Sequence, residues 1–115
     1  MRATIMTEGG LACFPGLARP VTIDTGELGP ADAARLEALV EAARFFEQPA
    51  QTGQARARGA ADLQQHEVTI ELEGRCHTAT IAEPIADPAL RDLVRFLQQQ
   101  AQAALRARAR GAAPR

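Results

Sequence analysis

The chain has 115 residues, 46% of them apolar, and a formal net charge of −1, which suits one domain with one modest core. A mean hydropathy of −0.17 with no long apolar run argues against a membrane span. Ser, Lys, Asn, Tyr and Trp are all missing, which removes the serine nucleophile, the Schiff-base lysine and the lysine of a phosphate-binding loop.

Ala3 to Thr7 reads as a first strand. Glu8-Gly9-Gly10-Leu11-Ala12-Cys13-Phe14-Pro15-Gly16 follows as a loop, in which paired glycines permit φ > 0 and a Pro and a third Gly close the segment. Leu11 and Phe14 are bulky and apolar. They suit insertion into a pocket of another molecule, or folding back onto the chain's own core. Leu17 to Asp24 reads as the partner strand, and Pro20, without an N–H, marks it as an edge. In the connector Thr25 to Pro30, Leu28 stands between two glycines. It is free to project or to staple onto the next helix. Pro30 and Asp32 suit the start of that helix. Leu36, Leu39, Val40, Ala43 and Phe46 form its apolar stripe, and it stops before Pro49.

Gln48 to Asp62 has no apolar pattern and reads as a mobile surface loop reaching toward Gln65. Val68, Ile70 and Leu72 then alternate with Glu67, Thr69 and Glu71, and Glu73-Gly74 signals a two-residue hairpin. That register sets Leu72 opposite Arg75, Ile70 opposite His77, Val68 opposite Ala79 and His66 opposite Ile81. Asp87-Pro88 opens a second helix with the stripe Leu90, Leu93, Val94, Leu97 and Ala101, running on toward Gly111. The order β-β-α-β-β-α predicts an α+β fold, a four-stranded antiparallel sheet with both helices packed on one face. Residues 1–105 make the single domain and 106–115 an Arg/Ala-rich tail expected to fray.

The chemistry of the side chains is sparse. Cys13 and Cys76 are too few for a disulfide framework and read as free thiols. Cys76 and His77 point to opposite faces of one strand, and His66 and His77 stand roughly 13 Å apart in register. No metal site or cofactor is expected. Cys13 is the one plausible nucleophile, but its neighbours Ala12 and Phe14 supply neither cation nor base, so no enzymatic activity is expected. Arg106, Arg108, Arg110 and Arg115, without an aromatic neighbour, read as a solvated helix end rather than a nucleic-acid contact. Met1 to Met6 lack the apolar stretch of a signal peptide, which makes the cytoplasm the expected compartment.

In their order and spacing these segments resemble the emfourin family, small proteinaceous inhibitors of thermolysin-like (protealysin-type) metallopeptidases. The resemblance rests on Gly9-Gly10-Leu11-Ala12, the Asp-Thr-x-x-Leu-x-Pro run from Asp24 to Pro30, the helix from Leu36 to Ala43, and Phe45-Phe46. It continues through Glu67-Val68-Thr69-Ile70, Gly74-Arg75-Cys76-His77-Thr78 and Pro88-Ala89-Leu90, and covers about residues 3 to 97. Cys13 replaces a usual Gly and His66 an expected aromatic. The resemblance implies a one-to-one complex with a thermolysin-like metallopeptidase, with no nucleic-acid or membrane partner. An apolar side chain on a loop would fill the enzyme's apolar pocket beside its zinc. The implied partner-binding residues are Gly9, Gly10, Leu11, Ala12, Phe14, Glu27 and Leu28. The alternative is a non-catalytic regulatory module with another protein partner, using the acidic sheet face or the long loop.

Overall fold

The computed structural model describes residues 1–9, 20–52 and 64–112. Its strands are β1 (Arg2–Gly9), β2 (Val21–Asp24), β3 (Gln51–Thr52), β4 (Gln64–Leu72) and β5 (Arg75–Ala82). Its helices are α1 (Pro30–Ala42) and α2 (Pro88–Ala112), with short 3₁₀ turns at Thr25–Glu27 and Phe45–Glu47. The strand order is β2-β1-β4-β5-β3. β2, β1, β4 and β5 pair antiparallel, as expected. The added strand, β3, lies inside the stretch read as a mobile loop: Gln51 and Thr52 pair in parallel with Thr80 and Ile81. Two polar residues carry no strand signal of their own. They are recruited by backbone pairing, beginning with the Thr80 N–H donated to the Ala50 carbonyl at 2.7 Å.

Period-two alternation divides the sheet. Ala3, Ile5, Val21, Ile23, Val68, Ile70, Ala79 and Ile81 are buried against Leu36, Val40, Leu90, Leu93, Val94 and Leu97. The predicted β4–β5 register holds at every pair named above. Glu73 at φ +51° and Gly74 at φ +80° make the tight turn, both left-handed as a two-residue hairpin of this type requires. Leu72, beside that turn, and Leu39 are only half-buried, at the margin of the core. The opposite face is polar. The register aligns Thr22, Thr4, Thr69 and Thr78 in one row across four strands. Their hydroxyls bond in pairs at 3.0 and 2.8 Å.

Two differences from the sequence reading concern the helices. α1 ends at Ala42 rather than running to Pro49, because Arg44 adopts a left-handed conformation (φ +50°, ψ +50°) and turns the chain. That break shifts the helical phase. Phe45, not Phe46, becomes the core residue, at 0% exposure, with its ring edge-on to His77 at 5.4 Å. α2 begins as predicted. Asp87 accepts the Ala89 N–H at 3.0 Å on its side chain and the Arg91 N–H at 2.9 Å on its carbonyl. At 1.5 Å per residue its 25 residues extend about 37 Å. Among the residues whose burial is described, Ala101 is its last fully buried core position, with Ala104 and Leu105 partly buried beyond.

Candidate functional site

The turn bearing Glu27 and Leu28 is built by three local devices. The Asp24 carboxylate accepts the Gly26 N–H at 2.9 Å and caps the 3₁₀ turn. A Cβ at Gly26 would come within 3.3 Å of that same oxygen, so glycine lets the cap close tightly. Thr25 ties the turn to the start of β1, donating its N–H and its hydroxyl to the Met1 carbonyl at 3.0 and 3.1 Å. Leu28 closes the turn by donating its N–H to the Thr25 carbonyl at 3.2 Å. Its side chain is half-buried against the core, closer to the stapled alternative than to the freely projecting one. Glu27 is exposed. Both line a cleft of about 340 Å³ between β2 and the far half of α2, where Ala103, Ala104 and Ala107 leave room.

Gly9 ends β1, paired with Gln64. Gly10, Leu11, Ala12, Cys13 and Phe14 lie outside the described residues. Of the three implied contact residues that are described, Gly9 does not cluster with Glu27 and Leu28. Arg2 pairs with Asp24 next to the Leu28 turn, whereas Gly9 lies seven residues along the same strand, roughly 23 Å away. Glu27 and Leu28 therefore stand at one end of the sheet, and Gly9 at the other. A larger cleft of about 560 Å³ also opens at the Leu28 end, between α1 and the β4–β5 hairpin. There the Arg75 guanidinium lies 4.5 Å from the Phe46 ring centroid.

Near the Gly9 end is a polar chain that the sequence reading missed. The Thr7 hydroxyl donates to His66 Nδ1 at 2.9 Å, and His66 Nε2–H donates to Glu83 Oε2 at 2.8 Å. Arg95 Nη1 donates to that same oxygen at 2.8 Å. His66 is 0% exposed and Thr7 6%. Burial lowers the His66 pKa, outweighing the upward pull of the Glu83 hydrogen bond and charge. Burial pushes Glu83 up, but hydrogen bonds from Arg95 and His66 hold its carboxyl below the usual value. The ring is thus neutral with its proton on Nε2, facing a carboxylate. A hydroxyl, an imidazole and a carboxylate in sequence have the makings of a hydrolytic relay. Here the hydroxyl points into the sheet interior, out of reach of a substrate carbonyl. Strand alternation hints at this set, since Thr7 and His66 both fall on the inward face. The β1–β4 pairing that joins them has no local signal.

His77 serves the core instead. Its Nε2–H donates to the Gln48 carbonyl at 2.7 Å and fixes the turn that carries Phe45. Cys76 is exposed on the other face. Among the described residues no group of three or more His, Cys, Asp or Glu side chains could hold a metal ion. No described helix is long and apolar enough to cross a membrane.

The described part of the chain is a two-layer α+β domain with hydrogen-bonded surface turns and two shallow clefts. The emfourin family profile matches residues 5–98, and the chain belongs to the emfourin family. Members of that family are peptidase inhibitors, not enzymes. Among solved structures the chain is similar to emfourin (M4in) from Serratia proteamaculans, an M4 family peptidase inhibitor. Identity is 27% over 80% of this chain and 83% of that one, with a TM-score of 0.41. No curated protein matches.

Proposed function

We propose that this chain inhibits a thermolysin-like zinc metallopeptidase of the M4 family, protealysin-type enzymes foremost, in a one-to-one complex. Membership of the emfourin family over most of the chain carries this reading. Such an enzyme keeps an open coordination position on its zinc, and a rigid protein that seats an apolar side chain beside the metal blocks substrate. The Leu28 turn suits the anchor. Its hydrogen bonds to Asp24 and Met1 hold it before any partner arrives, so little ordering cost falls on association. Glu27 flanks it with an exposed carboxylate. The segment from Gly9 through Gly10, Leu11, Ala12 and Phe14 starts from the far end of the sheet and supplies a second contact. Titration of thermolysin with the pure chain tests the activity. Leu28→Ala and Leu11→Ala, assayed side by side, test which end carries the anchor.

A further inference from the structure

We propose that Thr7, His66, Glu83 and Arg95 form a positioning set that locks the Gly9 end of β1 to α2 and so tunes the grip of the inhibitory surface beginning there. The second half of this statement rests on the inhibitor reading; the first does not.

The argument starts from where the strands end. Gly9↔Gln64 is the last pair of the β1–β4 ladder, and Thr7↔His66 is the pair two residues inside it. Ladder ends open readily because they have neighbours on one side only. An apolar residue at position 66 would fill the space without dictating direction. His66 instead makes one bond from each ring nitrogen, to groups 59 and 17 residues away in sequence. Glu83 follows β5 directly, and Arg95 is on α2. Three bonds of 2.8 to 2.9 Å thus run from β1 through β4 to the exit of β5 and onto the helix. Opening the Gly9 end by three residue pairs would strand the buried Nδ1 acceptor of His66 and the Thr7 hydroxyl, whereas an apolar pair would carry no such penalty. The charged and titratable groups acting on the imidazole are Glu83, beyond β5, and Arg95, from α2. A neutral ring accepts from Thr7 at Nδ1; a protonated one donates there instead, with the hydroxyl turned to accept, and carries its charge in a buried site.

The test uses the full chain and three variants. Thr7→Val removes the hydroxyl at nearly constant shape, Thr7→Ser keeps it, and Thr69→Val removes a hydroxyl on the outer face of the neighbouring strand. Amide hydrogen exchange at neutral pH is read residue by residue, beside the inhibition constant for thermolysin. In Thr7→Val, exchange at Thr7–Gly9 and Gln64–His66 should quicken by about tenfold or more, with the amides around Ile70 and His77 nearly unchanged. Thr7→Ser and Thr69→Val should match the wild type. Inhibition should weaken about tenfold in Thr7→Val alone, and in the wild type the Gly9 end should lose protection as the pH falls from 7 toward 5. Equal acceleration across the whole sheet, or none at the Gly9 end, overturns the positioning role. Faster exchange at Gly9 with unchanged inhibition overturns the link to affinity. Should the wild type not inhibit while Gly9 responds as described, the inhibitor reading fails and the lock stands.

Discussion

Leu28 and Leu93 offer a direct separation of binding from folding. Leu93 is fully buried between α2 and the sheet. Leu93→Ala removes three buried carbons, worth about 2.4 kcal/mol in transfer alone, and leaves a cavity that raises the cost to about 3–4 kcal/mol. In a domain of this size each kcal/mol moves Tm by about 4 °C, so the variant should melt roughly 12–16 °C lower. Leu28 is half-buried at the lip of a cleft open to solvent. Its truncation forfeits about half the transfer term and leaves no closed cavity, a loss of about 1 kcal/mol. On the enzyme the order reverses. An anchor in a desolvated pocket is worth about 2 kcal/mol or more, or roughly thirtyfold in the inhibition constant. Leu93→Ala, assayed well below its Tm, should inhibit within about twofold of wild type, because the Leu28 turn is bonded locally to Asp24 and Met1. Circular dichroism melts and thermolysin assays on both variants give the four numbers. If Leu28→Ala inhibits like wild type, the anchor lies elsewhere. If it loses 3 kcal/mol of stability, Leu28 is a core residue and the reasoning fails.

Acid should weaken the fold in two stages. Burial lowers the His66 pKa beneath its usual 6.5, so the stability it contributes is complete above 6.5 and declines as pH falls through the lower folded value. Glu83, held below 4.5 by its hydrogen bonds from Arg95 and His66 against the cost of burial, adds a second loss below 4.5. Urea midpoints at pH 7.5, 5.5 and 3.5 should fall in that order; equal midpoints at 7.5 and 5.5 would refute the first stage. Gly74→Ala should cost about 1 kcal/mol by chemical denaturation, because Gly74 sits at φ +80° with nothing within 4 Å of an added Cβ. Glu73→Gly, at φ +51°, should cost almost nothing by the same measurement. Phe45→Ala should lower stability by about 3–5 kcal/mol, whereas Phe46→Ala, half-buried, should cost clearly less; equal losses would place both rings in the core.

The hairpin from Gln65 to Ala82 was legible because two local signals agree, period-two alternation and a Glu73-Gly74 turn that fixes the register. Asp87-Pro88 announced α2 in the same local way. Phe45 was missed because a single left-handed residue, Arg44, turns the chain, and helical periodicity does not foresee it. β3 was missed because Gln51 and Thr52 carry no pattern and exist as a strand only through β5. The placement of the implied contact residues was not legible in the sequence. Gly9 and Leu28 belong to neighbouring loops in sequence, but antiparallel pairing of Arg2 with Asp24 sends them to opposite ends of the sheet. Thr7, His66, Glu83 and Arg95 meet only after the strand order β2-β1-β4-β5 is set, an order that depends on long-range pairing.

Titration of a fixed concentration of thermolysin with the 115-residue chain addresses the central claim most directly. Peptidase activity should fall linearly and reach its floor at one equivalent of chain, with the complex recovered intact by size exclusion. Full activity at about micromolar chain, well above the enzyme concentration, with protealysin-type enzymes equally unaffected, would contradict it.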